Sequence, residues 1–346
     1  MSIHAQVSAS RIVPVVALTD ALSRVPGFRE AMTRVESRLL EAVRSEDDFL
    51  TEVASHLIHA GGKRLRPAFA VAAAHCHQSE IGAGSESERI WSAAVSVELV
   101  HLGSLYHDDV MDDAVTRRRV ESVNARWGNL RAILAGDFLL ARASELAAGL
   151  GDGIAGMLAG TIARLCEGQI RELQDAFNVD RTEQGYFRSI EGKTASLFET
   201  SLRVGAMVSR LPPGEVESLG AFGRAFGMAF QVVDDILDVV ASEEELGKPA
   251  GNDLVEGVYT LPVIRALSRE TDGSLRSLLG RPLTTEERDQ ARILIRESGV
   301  ISDCLDVARK HVELARAHLS RVVDGPVRKA LEDTAAALLH SVPAVV

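Results

Sequence analysis

The segment VELVHLGSLYHDDVMD, Val97–Asp112, carries an apolar helical pattern directly into the motif Asp-Asp-x-x-Asp. Further along the chain, FGRAFGMAFQVVDDILD, Phe222–Asp238, has the same arrangement with the same motif at its end. The likeness suggests an internal duplication in which two similar helices face each other across one cavity. Both helices would then bring their carboxylates to the same end of that cavity.

The composition of the chain favours helices over strands. Aromatic residues make up 4% and there are 10 prolines, whereas Ala, Leu, Val, Glu and Arg are abundant. We expect an all-α fold, a bundle of about ten to twelve helices around a central cavity. Apolar residues recur at helical spacing over Phe28 to Ile58, Trp91 to Tyr106, Ala132 to Ala148, Ile154 to Leu173, Leu197 to Val208 and Val216 to Val240.

The breaks between these stretches are short. They include Gly61-Gly62, Gly149 to Gly153 and Pro212 to Gly214. None is long enough to act as an interdomain linker. We therefore expect one helical domain over residues 26–346, preceded by an N-terminal extension over residues 1–25.

Length and charge narrow the class of protein. The 346 residues are 46% apolar and 25% charged, which is typical of a folded globular chain. The net charge of -11 opposes general attraction to nucleic acid or to an anionic bilayer. Cys76, Cys166 and Cys304 are too scattered for a disulfide framework, which predicts a reducing compartment, the cytoplasm. The N-terminus has the pattern of neither a signal peptide nor a membrane span.

The two aspartate clusters have the spacing of a metal site. Residues four apart project from one face of a helix, so Asp108 and Asp112 can chelate a common cation, and Asp234 and Asp238 have the same spacing. A few carboxylates suit Mg²⁺, since they leave coordination positions for water and substrate phosphate. One such cluster alone is more often a solvated acidic surface. Two clusters, each ending an apolar helix, favour a site for magnesium diphosphate.

Basic residues lie close to the first cluster and to a glycine break. GGKRLRP at 61–67 places Lys63, Arg64 and Arg66 where a helix N-terminus can also face an anion. The simpler alternative for this segment is a helix start with solvated side chains. Arg117–Arg119 follow the first cluster closely enough to share its site, with their charges opposite the metals across a phosphate group.

Taken together, these residues resemble the trans-isoprenyl (polyprenyl) diphosphate synthase family, and in particular its bacterial long-chain members. The resemblance implies a magnesium-dependent prenyltransferase that joins isopentenyl diphosphate head to tail to an allylic prenyl diphosphate and releases diphosphate. It also implies a homodimer and about three Mg²⁺ ions when substrate is bound. It rests on GGKRLRP, HLGSLYHDDVMDDAVTRRR, GNLRAILAGDFLLARA, Gly168-Gln169, KTASLF, FQVVDDILD and GKPAGNDLVEGVYTLP.

The resemblance also implies roles for individual side chains. The pocket for isopentenyl diphosphate would consist of Lys63, Arg66, His101 and Arg118. The diphosphate of the allylic substrate would contact Arg117, Lys193, Thr194, Gln231 and Lys248. The metal ligands would be Asp108, Asp112 and Asp234, supported by Asp109 and Asp238. The implied catalytic set is Asp108, Asp109, Asp112, Lys193, Asp234, Asp235 and Asp238.

Small residues before the first cluster bear on product length. Gly103 and Ser104 lie roughly one helical turn before Asp108, where bulky residues stop the growing chain in this family. One turn deeper, Val100 is also of modest size. We therefore expect a long-chain product rather than a farnesyl or geranylgeranyl product.

Two positions depart from the family's pattern. Arg119 stands where the family usually has glycine, and Val258 stands where it often has lysine. We expect Val258 to remove a contact with the allylic diphosphate, and Arg119 to compensate in part.

Two other functions compete with chain elongation. A terpene cyclase also ionises a prenyl diphosphate, but it needs no second diphosphate pocket, so GGKRLRP and His101 argue against it. A regulatory subunit of a two-chain prenyl synthase would do no chemistry itself. Such subunits tend to lack the aspartate clusters, whereas this chain has both.

Overall fold

The computed structural model describes residues 16–78, 87–242 and 250–342. It confirms the all-α fold. The first helices are α1 Val16–Ser23, α2 Phe28–Ala42, α3 Asp48–His59, α4 Leu65–Ala74, α5 Ser87–Met111, α6 Val123–Trp127, α7 Asn129–Leu150, α8 Asp152–Gln174 and α9 Glu183–Ile190. After a π-helix, Glu191–Ala195, come α10 Ser196–Val208, α11 Pro213–Val240, α12 Asn252–Glu256, α13 Leu261–Arg269, α14 Ser274–Leu278, α15 Thr285–Glu297, α16 Val300–His318, a 3₁₀ turn Leu319–Arg321 and α17 Pro326–Leu339.

The bundle has more helices than the ten to twelve that we expected. One reason is that the apolar stretch from Phe28 to Ile58 forms two helices, α2 and α3. Asp47 separates them because its side chain accepts hydrogen bonds from the N–H groups of Phe49 and Leu50, at 2.9 and 3.1 Å, and so caps α3. Apolar periodicity continues across this break, so periodicity alone did not reveal it.

The two helices that carry the aspartate motifs lie in the middle of the bundle. α5 packs against α7 and α4, and α11 packs against α10 and α16. Four phenylalanines tie α4, α10 and α11 together, with ring centroids 4.9 Å apart for Phe69–Phe226 and 5.3 Å apart for Phe198–Phe226. Such pairs add about 0.5–1.5 kcal/mol each to the effect of burial. The fourth ring, Phe222, stacks on Phe226.

The close approach of α5 and α7 depends on glycine. A Cβ atom at Gly103 would lie 3.1 Å from the carbonyl oxygen of Gly136, and one at Gly136 would lie 3.2 Å from that of Gly103. These distances are tighter than ordinary van der Waals contact, so larger side chains would push the helices apart. This contact fixes the distance between two walls of the cavity described below.

The N-terminal part of the described chain belongs to the packed bundle. Leu18 and Leu22 of α1 are buried, and α1 packs against α17. The boundary at residue 25 remains a prediction. Across residues 16–78, 87–242 and 250–342, no helix has the length and apolar character that a membrane span requires.

Candidate active site

A cavity of about 1260 Å³ lies between α5, α7, α8, the π-helix and α11. Charged side chains from both aspartate motifs, from the segment 62–66 and from residues 117–119 line one part of it. Apolar side chains line the remainder: Val100, Leu105, Ile133, Leu140, Ile162, Leu165, Ile170, Leu173, Leu197 and Phe230. One cavity therefore offers both an anion-binding mouth and an apolar interior.

In the first motif, one aspartate lines the cavity, one is exposed just beyond the end of α5, and one is buried. Asp108 lines the cavity, and Asp112 is exposed one turn away. Asp109 is fully buried and accepts a hydrogen bond from Nε of Arg117 at 2.6 Å. Burial raises the pKa of Asp108. Although the Asp112 side chain is exposed, desolvation by the surrounding protein and the neighbouring charge of Asp108 raise the pKa of Asp112. A cation between these two carboxylates would relieve that repulsion.

The second motif is arranged differently. Asp234 is exposed and lines the cavity, whereas Asp235 and Asp238 are buried. Asp238 accepts hydrogen bonds from the following loop: its carbonyl oxygen from the N–H of Gly251 at 2.9 Å, and its carboxylate from the N–H of Asp253 at 3.4 Å. The i, i+4 spacing of Asp234 and Asp238 therefore does not place both carboxylates at the mouth.

The π-helix presents two neighbouring residues, Lys193 and Thr194, to the cavity. Nζ of Lys193 lies 2.5 Å from Oε1 of Glu172. Burial lowers the pKa of Lys193, but Glu172 and Asp108 outweigh this effect and raise it overall, so the ammonium group stays charged. Gly168 lets α8 approach this turn, because a Cβ atom there would lie 2.5 Å from the backbone nitrogen of Lys193.

The four residues expected to bind the second diphosphate lie together in this cavity. Lys63, Arg66, His101 and Arg118 all line the cavity. Nε of Arg66 is buried and has no hydrogen-bond partner within the described part of the chain. Burial lowers the pKa of Arg66 to about 10, and the nearby Arg118 contributes to this. A buried cationic donor without a partner is a site for an anion.

His101 and Arg118 complete this pocket in different ways. Burial, together with the charges of Arg66 and Arg118, holds the pKa of His101 well below its usual range, so the imidazole is neutral. Arg118 donates from Nη1 to the carbonyl oxygens of Leu57, at 3.0 Å, and Gly61. These contacts hold its guanidinium against the loop that carries Lys63.

The charge of Arg64 is paired within the protein and is therefore not available to an anion in the pocket. Its guanidinium donates to Glu36 at 2.6 Å and to Glu98 at 2.9 Å, and its backbone has a φ of 48°. This double ion pair fixes the turn from which Lys63 and Arg66 project. Glu98 is a residue of this site that the sequence patterns did not predict, although a charged residue inside the apolar run VELV is a signal for a buried partner.

A tight hairpin positions Arg117–Arg119. Strands β1, Thr116–Arg117, and β2, Val120–Glu121, pair antiparallel, and both turn residues between them have positive φ, 53° at Arg118 and 67° at Arg119. This turn type favours glycine, which gives a physical reason for the family's usual residue at position 119. Arg119 also lines the cavity, as its compensating role requires.

The residues expected to set product length separate into two groups. Val100 and Ser104 line the cavity. Gly103 instead faces α7, so its side of α5 is a packing contact between helices. The roles of all three in product length remain predictions.

The late loop is only partly described. Lys248 lies outside the described residues. Val258 is half-buried, and its N–H donates to the carbonyl oxygen of Asp253 at 2.8 Å. Val258 is not among the residues that line the cavity, so this structure does not bring it to the allylic side of the mouth.

The carboxylates fit a metal that is completed by its substrate. Within residues 16–78, 87–242 and 250–342, no group of three His, Cys, Asp or Glu side chains is close enough to hold a metal alone. Asp108 lies on α5, Asp112 lies in the turn directly after α5, and Asp234 lies on α11. This oxygen-only set leaves most of a coordination sphere to water and phosphate, the arrangement that suits a hard divalent cation.

Comparison with known proteins agrees with this geometry. The sequence model "Polyprenyl synthetase" matches residues 47–295. The chain is 40% identical to a nonaprenyl diphosphate synthase from Mycobacterium tuberculosis, over 92% of this chain and 95% of that one. It is 38% identical to heptaprenyl diphosphate synthase component 2 from Geobacillus stearothermophilus, over 88% and 93%.

Solved structures share the fold. A decaprenyl diphosphate synthase from Rhodobacter capsulatus superposes with a TM-score of 0.83 at 33% identity, covering 94% of this chain and 98% of that one. A polyprenyl synthase from Caulobacter crescentus, complexed with calcium and isoprenyl diphosphate, gives 0.85 at 32% identity, covering 97% and 99%. This chain therefore belongs to the polyprenyl synthetase family, and it is a prenyltransferase.

Proposed function

We propose that this chain is a long-chain polyprenyl diphosphate synthase, which uses Mg²⁺ to condense isopentenyl diphosphate with an allylic prenyl diphosphate. The observation that carries the proposal is the single cavity with two anion-binding groups at its mouth. One group consists of Asp108, Asp112 and Asp234 with Lys193. The other is the basic pocket around Arg66. A cyclase would need only the first.

The allylic half of the site is built to favour departure of diphosphate. Mg²⁺ bound by Asp108, Asp112 and Asp234 would neutralise the charge that grows on the leaving group. Lys193 and Arg117 line the same part of the cavity and add fixed positive charge. The hydroxyl hydrogen of Thr194 is donated to Gln231 at 2.7 Å, which leaves the oxygen lone pairs of Thr194 for the electron-poor allylic carbon.

The second half of the site holds the nucleophile. Lys63, Arg66 and Arg118 would bind the diphosphate of isopentenyl diphosphate, and the neutral His101 would add a hydrogen bond without adding charge. Holding both substrates in one cavity removes much of the entropic barrier to carbon–carbon bond formation. The double bond of isopentenyl diphosphate then attacks the allylic carbon, and loss of a proton completes the addition of one isoprene unit.

A long product fits the apolar interior. Ser104 and Val100 leave the wall of α5 open, and the lining beyond them is aliphatic. The names of relatives, which include nonaprenyl, heptaprenyl and decaprenyl synthases, support the same conclusion. Geranylgeranyl synthesis is the alternative, since a synthase of that name from Corynebacterium glutamicum is 39% identical with a TM-score of 0.77.

We also propose a homodimer formed through α7 and α8. These helices expose a set of apolar side chains with relative exposures of 72% at Leu130, 58% at Leu134 and 54% at Ile170. Ile170 also lines the cavity, so a second copy on this surface would close a wall of the product cavity. A cytoplasmic location is in keeping with the three free cysteines.

The decisive assay incubates the purified chain with labelled isopentenyl diphosphate, Mg²⁺ and, in turn, dimethylallyl, geranyl, farnesyl and geranylgeranyl diphosphate. Chromatography of the dephosphorylated products should show elongation beyond geranylgeranyl with at least one primer. Products that stop at geranylgeranyl would establish the shorter alternative. Absence of elongation with every primer would contradict catalysis by this chain alone and would favour the regulatory-subunit alternative.

A further inference from the structure

A chain of four hydrogen-bonded side chains connects α9 to the π-helix through α11. The hydroxyl of Tyr186 donates to Oδ2 of Asp235, and Nε2 of Gln231 donates to Oδ1 of Asp235 at 2.9 Å. Oγ1 of Thr194 donates to Oε1 of Gln231 at 2.7 Å. Tyr186 and Asp235 are only 1% and 2% exposed, so water does not compete for these bonds.

The bonds of this chain run in one direction. The Tyr186 hydroxyl donates to Oδ2 of Asp235, and Oδ1 accepts from Gln231, so Gln231 presents its amide nitrogen to Asp235. The carbonyl oxygen of Gln231 is then turned toward Thr194, whose hydroxyl must donate to it. Gln231 and Thr194 line the cavity, whereas Asp235 and Tyr186 do not. Two residues that do not line the cavity, Asp235 and Tyr186, therefore set the orientation of the Gln231 amide and the Thr194 hydroxyl.

The ring of Tyr186 is held firmly enough to serve as this anchor. Phe187 packs edge-on against it with centroids 5.2 Å apart, and the guanidinium of Arg181 lies 5.8 Å from its centroid. Arg181 in turn donates to the carbonyl oxygen of Tyr259 at 2.9 Å and to Ser189 at 3.1 Å. The anchor is thus tied to the loop that follows the second motif.

We propose that Tyr186 is a positioning residue for the allylic half of the site: through Asp235 it fixes the amide of Gln231 and the hydroxyl of Thr194. This inference rests on the proposed elongation reaction. It gives Asp235 a structural route to catalysis, through Gln231, in place of contact with metal or substrate. No sequence pattern predicts this role for Tyr186, because nothing in its spacing relates it to the aspartate motif on α11.

The variant Tyr186→Phe keeps the buried ring and removes only the donor. Asp235 then loses one of its two partners, so its carboxyl group can rotate and holds the Gln231 amide less firmly. We expect kcat to fall about 10- to 100-fold, the effect of removing one hydrogen bond from a buried carboxyl group. We expect KM for isopentenyl diphosphate to change less than about twofold, because the pocket around Arg66 shares no member with this chain of bonds.

The chain supplies a matched control. It has three tyrosines, all fully buried. Tyr106 donates its hydroxyl to the carbonyl oxygen of Val53 at 2.7 Å, so Tyr106→Phe loses a comparable bond elsewhere in the bundle. Thermal unfolding of both variants measures the purely structural effect. Equal losses of kcat in Tyr186→Phe and Tyr106→Phe, or no loss in Tyr186→Phe, would overturn the proposal.

Asp235→Asn provides a second test that does not depend on the folding of Tyr186→Phe. The oxygen of the new asparagine can still accept the hydrogen bond from Tyr186. Its amide nitrogen then faces Gln231, which reverses the direction of the hydrogen bonds from residue 235 through Gln231 to Thr194. We expect kcat to fall at least as far as in Tyr186→Phe, and the double variant to be no more than about twofold worse than Asp235→Asn. Multiplicative losses would show that the two residues act separately. Failure of the wild-type chain to elongate any primer would instead reject the underlying function.

Discussion

The two aspartate motifs have the same sequence pattern, but the structure uses their residues differently. At 108–112 the first aspartate lines the cavity, the last is exposed one turn away, and only Asp109 is buried. At 234–238 only the first aspartate faces the mouth, and the other two are bonded within the protein. The first motif ends its helix beside a hairpin, whereas the second is enclosed by a neighbouring helix and a loop. The motif therefore marks a helix end near substrate, and packing decides which carboxylates reach it.

The largest expected effect concerns the first aspartate of each motif, which lines the cavity in both. Asp108→Asn and Asp234→Asn should each reduce kcat/KM for the allylic substrate about 1000-fold, roughly 4 kcal/mol, because each removes a charge that would hold Mg²⁺. Steady-state kinetics at saturating isopentenyl diphosphate measures this. Asp113→Asn is the control: Asp113 is exposed next to the first motif, and asparagine tolerates its φ of 47°. A comparable loss in Asp113→Asn would point to a general charge effect.

The last residue of each motif should show the asymmetry. Asp112→Asn is expected to lower activity with little change in stability, because Asp112 is exposed. Asp238→Asn should instead cost about 1–3 kcal/mol of unfolding free energy, because it replaces a buried carboxylate that accepts a hydrogen bond from the N–H of Asp253. Denaturant titration beside kinetics separates the two. Full stability of Asp238→Asn together with loss of turnover would mean that both ends of the second motif act on substrate.

Product length offers another comparison, one turn below each motif. Ser104 lies four residues before Asp108, and Phe230 lies four before Asp234; both line the cavity. The side chain on the α5 wall is the small Ser104, whereas that on the α11 wall is the large Phe230. Ser104→Phe should therefore shorten the product, as seen by chromatography. Gly103→Phe, which would press on Gly136 and Leu140, should destabilise the fold as well. Unchanged chain length in Ser104→Phe would place the limit elsewhere.

The stability of the protein should depend on pH through Asp235, the middle aspartate of the second motif. Burial raises the pKa of Asp235 to about 7, above its value in the unfolded chain. Its contribution to stability is therefore present in full below pH 4 and is lost as pH rises through about 7. Relative to Asp235→Asn, the wild-type protein should lose stability between pH 5.5 and pH 7.5. Thermal unfolding of both proteins without divalent cations measures this difference. A wild-type protein that gains stability relative to Asp235→Asn as the pH rises would contradict the prediction.

The smallest effect concerns the hairpin beside the first motif. Arg119 has a left-handed backbone that glycine adopts without strain, so Arg119→Gly should stabilise the protein by about 1 kcal/mol. If Arg119 also compensates for Val258, KM for the allylic substrate should rise in the same variant. Unaltered KM would leave Arg119 with no binding role, and lower stability would show that its side chain outweighs the backbone strain.

The parts of this site that depend on composition and helical spacing could be predicted from the sequence. The helices that carry Asp108 and Asp234, and the basic segment with Lys63 and Arg66, follow from those patterns. Spacing along a helix could not predict that Asp238 turns away from the mouth, because which face is exposed depends on the packing of α11. The ion pairs of Arg64 escaped prediction for a similar reason, since Glu36 and Glu98 come from separate helices.

The stoichiometry of diphosphate release tests the central claim most directly. The wild-type chain, supplied with an allylic primer, labelled isopentenyl diphosphate and Mg²⁺, should release one diphosphate for each isopentenyl unit incorporated, and a chelator should stop both processes together. Release of diphosphate without incorporation would contradict elongation and indicate a cyclase or hydrolase. Release and incorporation in equal amounts would confirm that both diphosphate pockets of this cavity work in a single reaction.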